Sequence, residues 1–122
     1  MEKILIVDDQ PDIRKLLRLT FGRRYSVLEA EDAAAAWETI RHEQPRVVLL
    51  DVMMPGEMDG YQLCERIRKD PQVRGTYVAL LTARGQATDV ERGESAGADD
   101  YFIKPFSPLQ LVKAIEHRLS VN

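Results

Sequence analysis

The chain has one cysteine, one tryptophan and two histidines among its 122 residues. A single thiol excludes an internal disulfide and fits a reducing compartment. No partner spacing around Cys64 points to metal or nucleophilic work, so Cys64 reads as a small packed hydrophobe. His42 and His117 read as surface residues of helices. No apolar run approaches the length of a membrane span, and Met1-Glu2-Lys3 leads straight into a short apolar segment with no signal-peptide pattern. The expected location is cytoplasmic, with no membrane partner. Basic charge is in no excess, with 17 Lys and Arg against 20 Asp and Glu. The net charge is −3, and Arg23-Arg24 is a small pair on a solvated face rather than a basic stripe. Direct nucleic-acid binding by this chain is not expected. A glycine-rich phosphate loop is missing as well. Asp8-Asp9-Gln10-Pro11 stands in its place and repels a phosphate unless a cation intervenes, which argues against a flavin or nucleotide binder.

What the chain does have is the composition of an ordinary globule, 44% hydrophobic and 30% charged, at a length that fits one domain over residues 1–122. Short apolar runs alternate with helical periodicity five times. The expected strands are Lys3–Val7, Tyr25–Glu29, Val47–Leu50, Tyr77–Leu81 and Tyr101–Ile103. Most are nearly continuous in hydrophobicity, as strands buried on both faces of a parallel sheet are. The first helix places Ile13, Leu16, Leu17 and Phe21 on one face, with Pro11 near its start. The second follows Asp32, an N-cap, and runs through four alanines to Trp37 and Ile40. The third presents Leu63 and Ile67 one turn apart. The fifth starts with Ser107 as N-cap, Pro108 at the first helical position and Gln110 closing a capping box. Its buried stripe is Leu111, Val112, Ile115 and Leu119.

The fourth helix, Thr88–Ala96, is weak. It contains Gly93 and has Val90 as its only large apolar residue. It is either a small-residue helix lying tight against the sheet or a marginal element able to shift. Alternating β and α units imply an α/β doubly wound sheet with right-handed crossovers.

In such a sheet, ligands bind at the carboxyl ends of the strands. Asp8 and Asp9 end the first strand, Asp51 the third, Thr82 the fourth and Lys104 the fifth. Each alone has an ordinary explanation as a cap, a turn residue or a solvated lysine. Together they set three carboxylates against one ammonium. Two like charges ~4 Å apart cost about 4 kcal/mol at an effective dielectric of ~20. Such a pocket raises a carboxylate pKa or takes a divalent cation. An all-oxygen donor set favours a hard ion, and Mg2+ suits a site shared with a phosphate.

On these residues the chain resembles a response-regulator receiver domain of two-component signalling, of the CheY-like superfamily. The match runs through Asp8-Asp9, Leu49-Leu50-Asp51-Val52-Met53-Met54-Pro55, Leu80-Leu81-Thr82-Ala83-Arg84, Gly97-Ala98-Asp99-Asp100-Tyr101 and Lys104-Pro105-Phe106. The resemblance implies a flavodoxin-like (βα)5 fold with a five-stranded sheet in order 2-1-3-4-5. It implies Asp51 as phosphoacceptor, and Mg2+ held by Asp9, Asp51 and the Met53 backbone carbonyl, with Asp8 helping directly or through water. Lys104 pairs with the phosphoryl group, Thr82 hydrogen-bonds it, and Tyr101 turns inward when Thr82 moves. The peptide before Pro105 is implied to be cis. The implied partners are a sensor histidine kinase or phosphotransfer protein and a downstream protein or output domain. The output is a population shift on the face of helix 4, strand 5 and helix 5. Catalysis is limited to the chain's own phosphorylation and dephosphorylation, so it is not an enzyme acting on other molecules.

Several positions depart from the family pattern. The loop Pro55-Gly56-Glu57-Met58-Asp59-Gly60 is one residue longer than usual, with Glu57 the extra one. Met53 and Arg84 each lie two residues past a site residue, at positions that in the family border the route of the hydrolytic water, and the resemblance predicts slow self-dephosphorylation. Thr82-Ala83-Arg84-Gly85 and the segment through Pro108 are similar to receivers of winged-helix transcription factors. Those dimerise through basic groups on helix 5, where this chain has Ala114 and Glu116. The expected state is a monomer or a phosphorylation-dependent dimer. An Asp-nucleophile magnesium phosphatase is the competing class. It requires a second aspartate two residues after the first, and that position is Met53.

Overall fold

The computed structural model describes residues 1–83 and 86–120. Ten elements alternate along the chain. They are β1 (Lys3–Val7), α1 (Pro11–Phe21), β2 (Ser26–Ala30), α2 (Ala33–Glu43), β3 (Val47–Asp51), α3 (Gly60–Lys69), β4 (Tyr77–Thr82), α4 (Ala87–Ser95), β5 (Asp100–Ile103) and α5 (Pro108–Ser120). The strands form one parallel sheet in the order β2-β1-β3-β4-β5. This is the flavodoxin-like fold expected from the sequence.

Strand alternation divides the core in two. Leu5, Val7, Val48, Leu50, Val78 and Leu80 face α2 and α3, among Trp37, Ile40, Leu63 and Ile67. Ile4, Ile6, Val47, Leu49, Ala79 and Leu81 face α1 and α5, among Leu17, Phe21, Leu111 and Ile115. The three inner strands are buried on both faces, which explains their continuous hydrophobicity. The edge strands β2 and β5 are only half buried.

Helix boundaries follow local chemistry. Asp32 caps α2 by accepting from the Ala35 N–H at 2.8 Å. Ser107 Oγ accepts from the Gln110 N–H at 3.3 Å at the start of α5. The complete reciprocal capping box lies at α3, between Asp59 and Gln62. It closes the long β3–α3 loop, in which Gly56 takes φ +105°. The Gly60 N–H still reaches the Val52 carbonyl at 3.0 Å, so the extra residue is absorbed within the loop.

Two expectations are corrected. Leu16 does not share the buried face of α1. It is exposed, because the stripe follows Ile13, Leu17 and Phe21 at four-residue steps and Leu16 falls on its edge. The second strand begins at Ser26 rather than Tyr25, since the Tyr25 N–H closes the end of α1 on the Phe21 carbonyl at 3.0 Å. Helix α4 lies close to the sheet. A Cβ on Gly93 would meet the Tyr101 ring at 2.8 Å and Leu80 at 3.1 Å. No helix among the described residues is long and apolar enough to cross a membrane.

Candidate functional site

The carboxyl ends of β1, β3, β4 and β5 bring Asp8, Asp9, Asp51, Thr82 and Lys104 to one end of the sheet. Neighbouring parallel strands set this by register, with Val7 beside Leu50 and Asp51 beside Leu81. One carboxylate oxygen from each of Asp8, Asp9 and Asp51 lies within 4.8 Å of the other two. Asp8 and Asp51 are buried, whereas Asp9 is exposed. Lys104 Nζ lies 3.0 Å from Asp8 Oδ2 and 3.8 Å from Asp51 Oδ1. One ammonium therefore serves two buried carboxylates.

The electrostatic consequence falls on Asp51. Its carboxyl is pushed up from 3.8 to about 6, first by burial and then by the Asp8 charge. Lys104 and the Met53 N–H, which donates to Asp51 Oδ1 at 3.3 Å, act in the opposite direction. A buried, half-compensated carboxylate beside two others is the environment that a hard cation relieves. The donor set contains only oxygens, which fits Mg2+ and gives a softer metal no soft or nitrogen ligand.

Asp8 is held at every polar atom. Its N–H donates to the Ala30 carbonyl at 3.1 Å, and its Oδ1 accepts from the Gln10 N–H at 2.9 Å. Its carbonyl accepts from Arg14 Nη1 at 2.7 Å. Arg14 Nε donates to Glu29 at 3.2 Å, and Arg18 Nε donates to the other Glu29 oxygen at 2.6 Å. The sequence reading missed Arg14. Its only signal is its place on α1 just past the acidic pair, which any surface arginine shares.

The remaining expected residues are all near the site or its edge, apart from Arg84, which lies outside the described residues. Thr82 ends β4 fully buried, and its carbonyl accepts from the Lys104 N–H at 2.8 Å. The Lys104–Pro105 peptide is cis, as expected. The Met53 side chain is about half exposed at the rim, at 54%. Tyr101 is half buried on β5, and its hydroxyl lies 3.1 Å from the hydroxyl of Tyr61, a fully buried residue that the sequence reading did not single out. Cys64 is buried, and burial pushes its thiol up to about 11, in keeping with a packing role.

This arrangement agrees with the likeness to known proteins. Residues 4–116 match the family model for the response regulator receiver domain. The chain is 46% identical over 111 residues to the "Probable transcriptional regulator ycf27" of Guillardia theta, covering 90% of this chain and 42% of that protein. It is 37% identical over 122 residues to the DNA-binding response regulator MtrA of Mycolicibacterium smegmatis, covering 99% of this chain and 52% of that protein. The chain thus spans about half the length of these curated relatives. Among solved structures, the response regulator DrrB of Thermotoga maritima superposes with a TM-score of 0.89 at 33% identity, covering 98% of this chain and 53% of that one. With its sheet order, its acidic end and these relatives in agreement, the chain belongs to the response regulator receiver domains of two-component signalling.

Proposed function

We propose that Asp51 is the phosphoacceptor, taking a phosphoryl group from a phosphohistidine of a sensor kinase or phosphotransfer protein, or from a small acyl phosphate. The observation that carries this reading is the convergence of Asp8, Asp9 and Asp51 on one point beside Lys104. A carboxylate is a weak nucleophile, so transfer depends on alignment and charge neutralisation. An Asp51 oxygen forms the new bond to phosphorus as the phosphorus–nitrogen bond of the donor breaks, and the electron pair leaves on the imidazole. Asp8, Asp9, Asp51 and the Met53 carbonyl are the groups that would hold Mg2+, which when bound neutralises charge on the phosphoryl oxygens. Lys104 pairs with one of those oxygens, and the Thr82 hydroxyl donates to another. Reaction on this one side chain makes the domain a switch rather than an enzyme with external substrates.

Phosphorylation replaces one carboxylate charge with a group of nearly two charges and more acceptor oxygens. By analogy with other phosphorylated side chains, that reorders neighbouring loops. Helix α4, strand β5 and helix α5 then present the changed face to an output domain or partner protein. The DNA-binding description of MtrA supports a transcriptional output, through a segment other than this one. A reducing cytoplasmic setting fits the single buried thiol. The receiver acts as a monomer or a phosphorylation-dependent dimer. Basic pairing through α5 is disfavoured because Ala114 and Glu116 occupy the relevant face, and Glu116 already pairs with Arg24 of its own chain.

The test is incubation with acetyl phosphate and magnesium, followed by intact mass measurement. One added phosphoryl group is expected on the native chain and none on Asp51→Asn or in EDTA. An adduct that persists on Asp51→Asn would refute the assignment. Beryllofluoride binding distinguishes a short-lived acyl phosphate from a site that takes no phosphoryl group.

A further inference from the structure

Helix α3 touches both the end of β3 and helix α4. Gly60 opens α3 directly against the end of β3. A Cβ there would lie 2.5 Å from the Asp51 carbonyl oxygen and 2.7 Å from Val52 Cα. The Gly60 N–H also donates to the Val52 carbonyl at 3.0 Å. The first turn of α3 therefore packs backbone to backbone against the peptide that carries Asp51.

Tyr61 comes next, and it is fully buried. Its hydroxyl donates to the Asp89 carbonyl, in the first turn of α4, at 3.2 Å. The Tyr61 hydroxyl also lies 3.1 Å from the Tyr101 hydroxyl, a contact in which either oxygen can donate. The contacts among Tyr101, Tyr61 and Asp89 tie β5, α3 and α4 together. Arg92 of α4 adds a guanidinium 4.5 Å from the centre of the Tyr61 ring and lies 3.7 Å from Asp59, the α3 cap.

Among the described residues, helix α4 buries little apolar surface of its own. Its one fully buried residue is Gly93, which contributes closeness to Tyr101 and Leu80 rather than apolar area. A buried hydroxyl loses much when it loses a partner, so this chain of bonds is either made or broken.

We propose that Tyr61 is a positioning residue that couples Asp51 to helix α4 and strand β5 through this two-hydroxyl chain. The coupling rests on the receiver reading above, and its failure is separable from failure of that reading. The full chain is compared as native, Tyr61→Phe, Tyr101→Phe and the double variant. Amide hydrogen exchange is followed across residues 87–95, with and without beryllofluoride and magnesium. Acetyl phosphate labelling is measured by mass in parallel.

In the native chain beryllofluoride alters exchange of α4. In Tyr61→Phe the unliganded helix is expected to exchange about fivefold faster, the worth of one net hydrogen bond. The beryllofluoride-induced change should fall below half its native size, while labelling of Asp51 persists. The double variant should lose less than the sum of the two single variants' losses, because the two hydroxyls touch each other. A purely structural tyrosine would raise exchange equally in both states and leave the induced change at its native size, which would overturn the coupling. Additive effects in the double variant would overturn it too. A native chain that takes up no phosphoryl group and no beryllofluoride would overturn the receiver reading and the coupling together.

Discussion

Replacing Asp51 by asparagine removes the charge that the fold accommodates least well, so the variant should be more stable than the native chain at neutral pH without metal. The native carboxyl rises from 3.8 to about 6, with burial as the main cause and Asp8 next. Each tenfold change in acidity is worth roughly 1.4 kcal/mol, so ionised Asp51 costs the folded state about 3 kcal/mol. Asparagine keeps the shape and loses the charge, but its amide forms no ion pair with Lys104. A net gain of about 1–3 kcal/mol is therefore expected.

The pH dependence has a definite sign. Between 3.8 and about 6 the folded chain holds more of this proton than the unfolded chain, so native stability falls as pH rises through that window. The advantage of the variant should be full above about 6 and disappear below 3.8. Urea unfolding of both chains at several pH values, in EDTA, measures it. Magnesium should narrow or cancel that advantage, since a ligand at about a hundred times its dissociation constant adds about 2.7 kcal/mol to the form that binds it. An asparagine variant no more stable than the native chain at pH 7.5 in EDTA would refute the electrostatic account of the site.

Three other perturbations probe separate parts of the molecule. Replacing Met53 and Arg84 together by alanine should speed loss of the phosphoryl group from Asp51, followed by mass over time; an unchanged decay would remove these residues as shields. Arg68 donates to the carbonyls of Gly97, Arg74 and Thr76 and to Asp99 at 2.6–2.8 Å, so Arg68→Ala should lose about 2–4 kcal/mol in chemical unfolding. A loss under about 0.5 kcal/mol would mean that water replaces the guanidinium freely. Gly93→Ala sets a helix-propensity gain of about 1 kcal/mol against overpacking of about 1–3 kcal/mol, because the new methyl meets the Tyr101 ring. Net destabilisation with a perturbed Tyr101 environment is expected, and a higher melting temperature would contradict the close approach of α4.

Much of this protein is legible along the chain because its signals are local. Burial on both faces makes β1, β3 and β4 continuous apolar runs, and caps such as Asp32 and Ser107 act within one turn. The site is legible for a related reason. Parallel strands point the same way, so residues that follow Val7, Leu50, Leu81 and Ile103 must gather at one end once the strands lie together. The less legible features are those that need two distant segments at once. Leu16 lies on the edge of the Ile13, Leu17 and Phe21 stripe, and only packing decides whether an edge residue is covered or left to water.

The sequence alone determined the alternation of elements, the parallel sheet and the acidic and basic groups at its carboxyl end, since each follows from short-range pattern and strand direction. Tertiary structure alone decided that Asp51 is poorly compensated, that Arg14 grips the Asp8 carbonyl, and that the Tyr61 and Tyr101 hydroxyls meet beneath α4. Those outcomes depend on burial and on distances between groups far apart in the chain, such as Tyr61 and Tyr101 at 40 residues and Asp8 and Lys104 at 96. No local rule contains such distances, because they exist only once the helices have packed on the sheet.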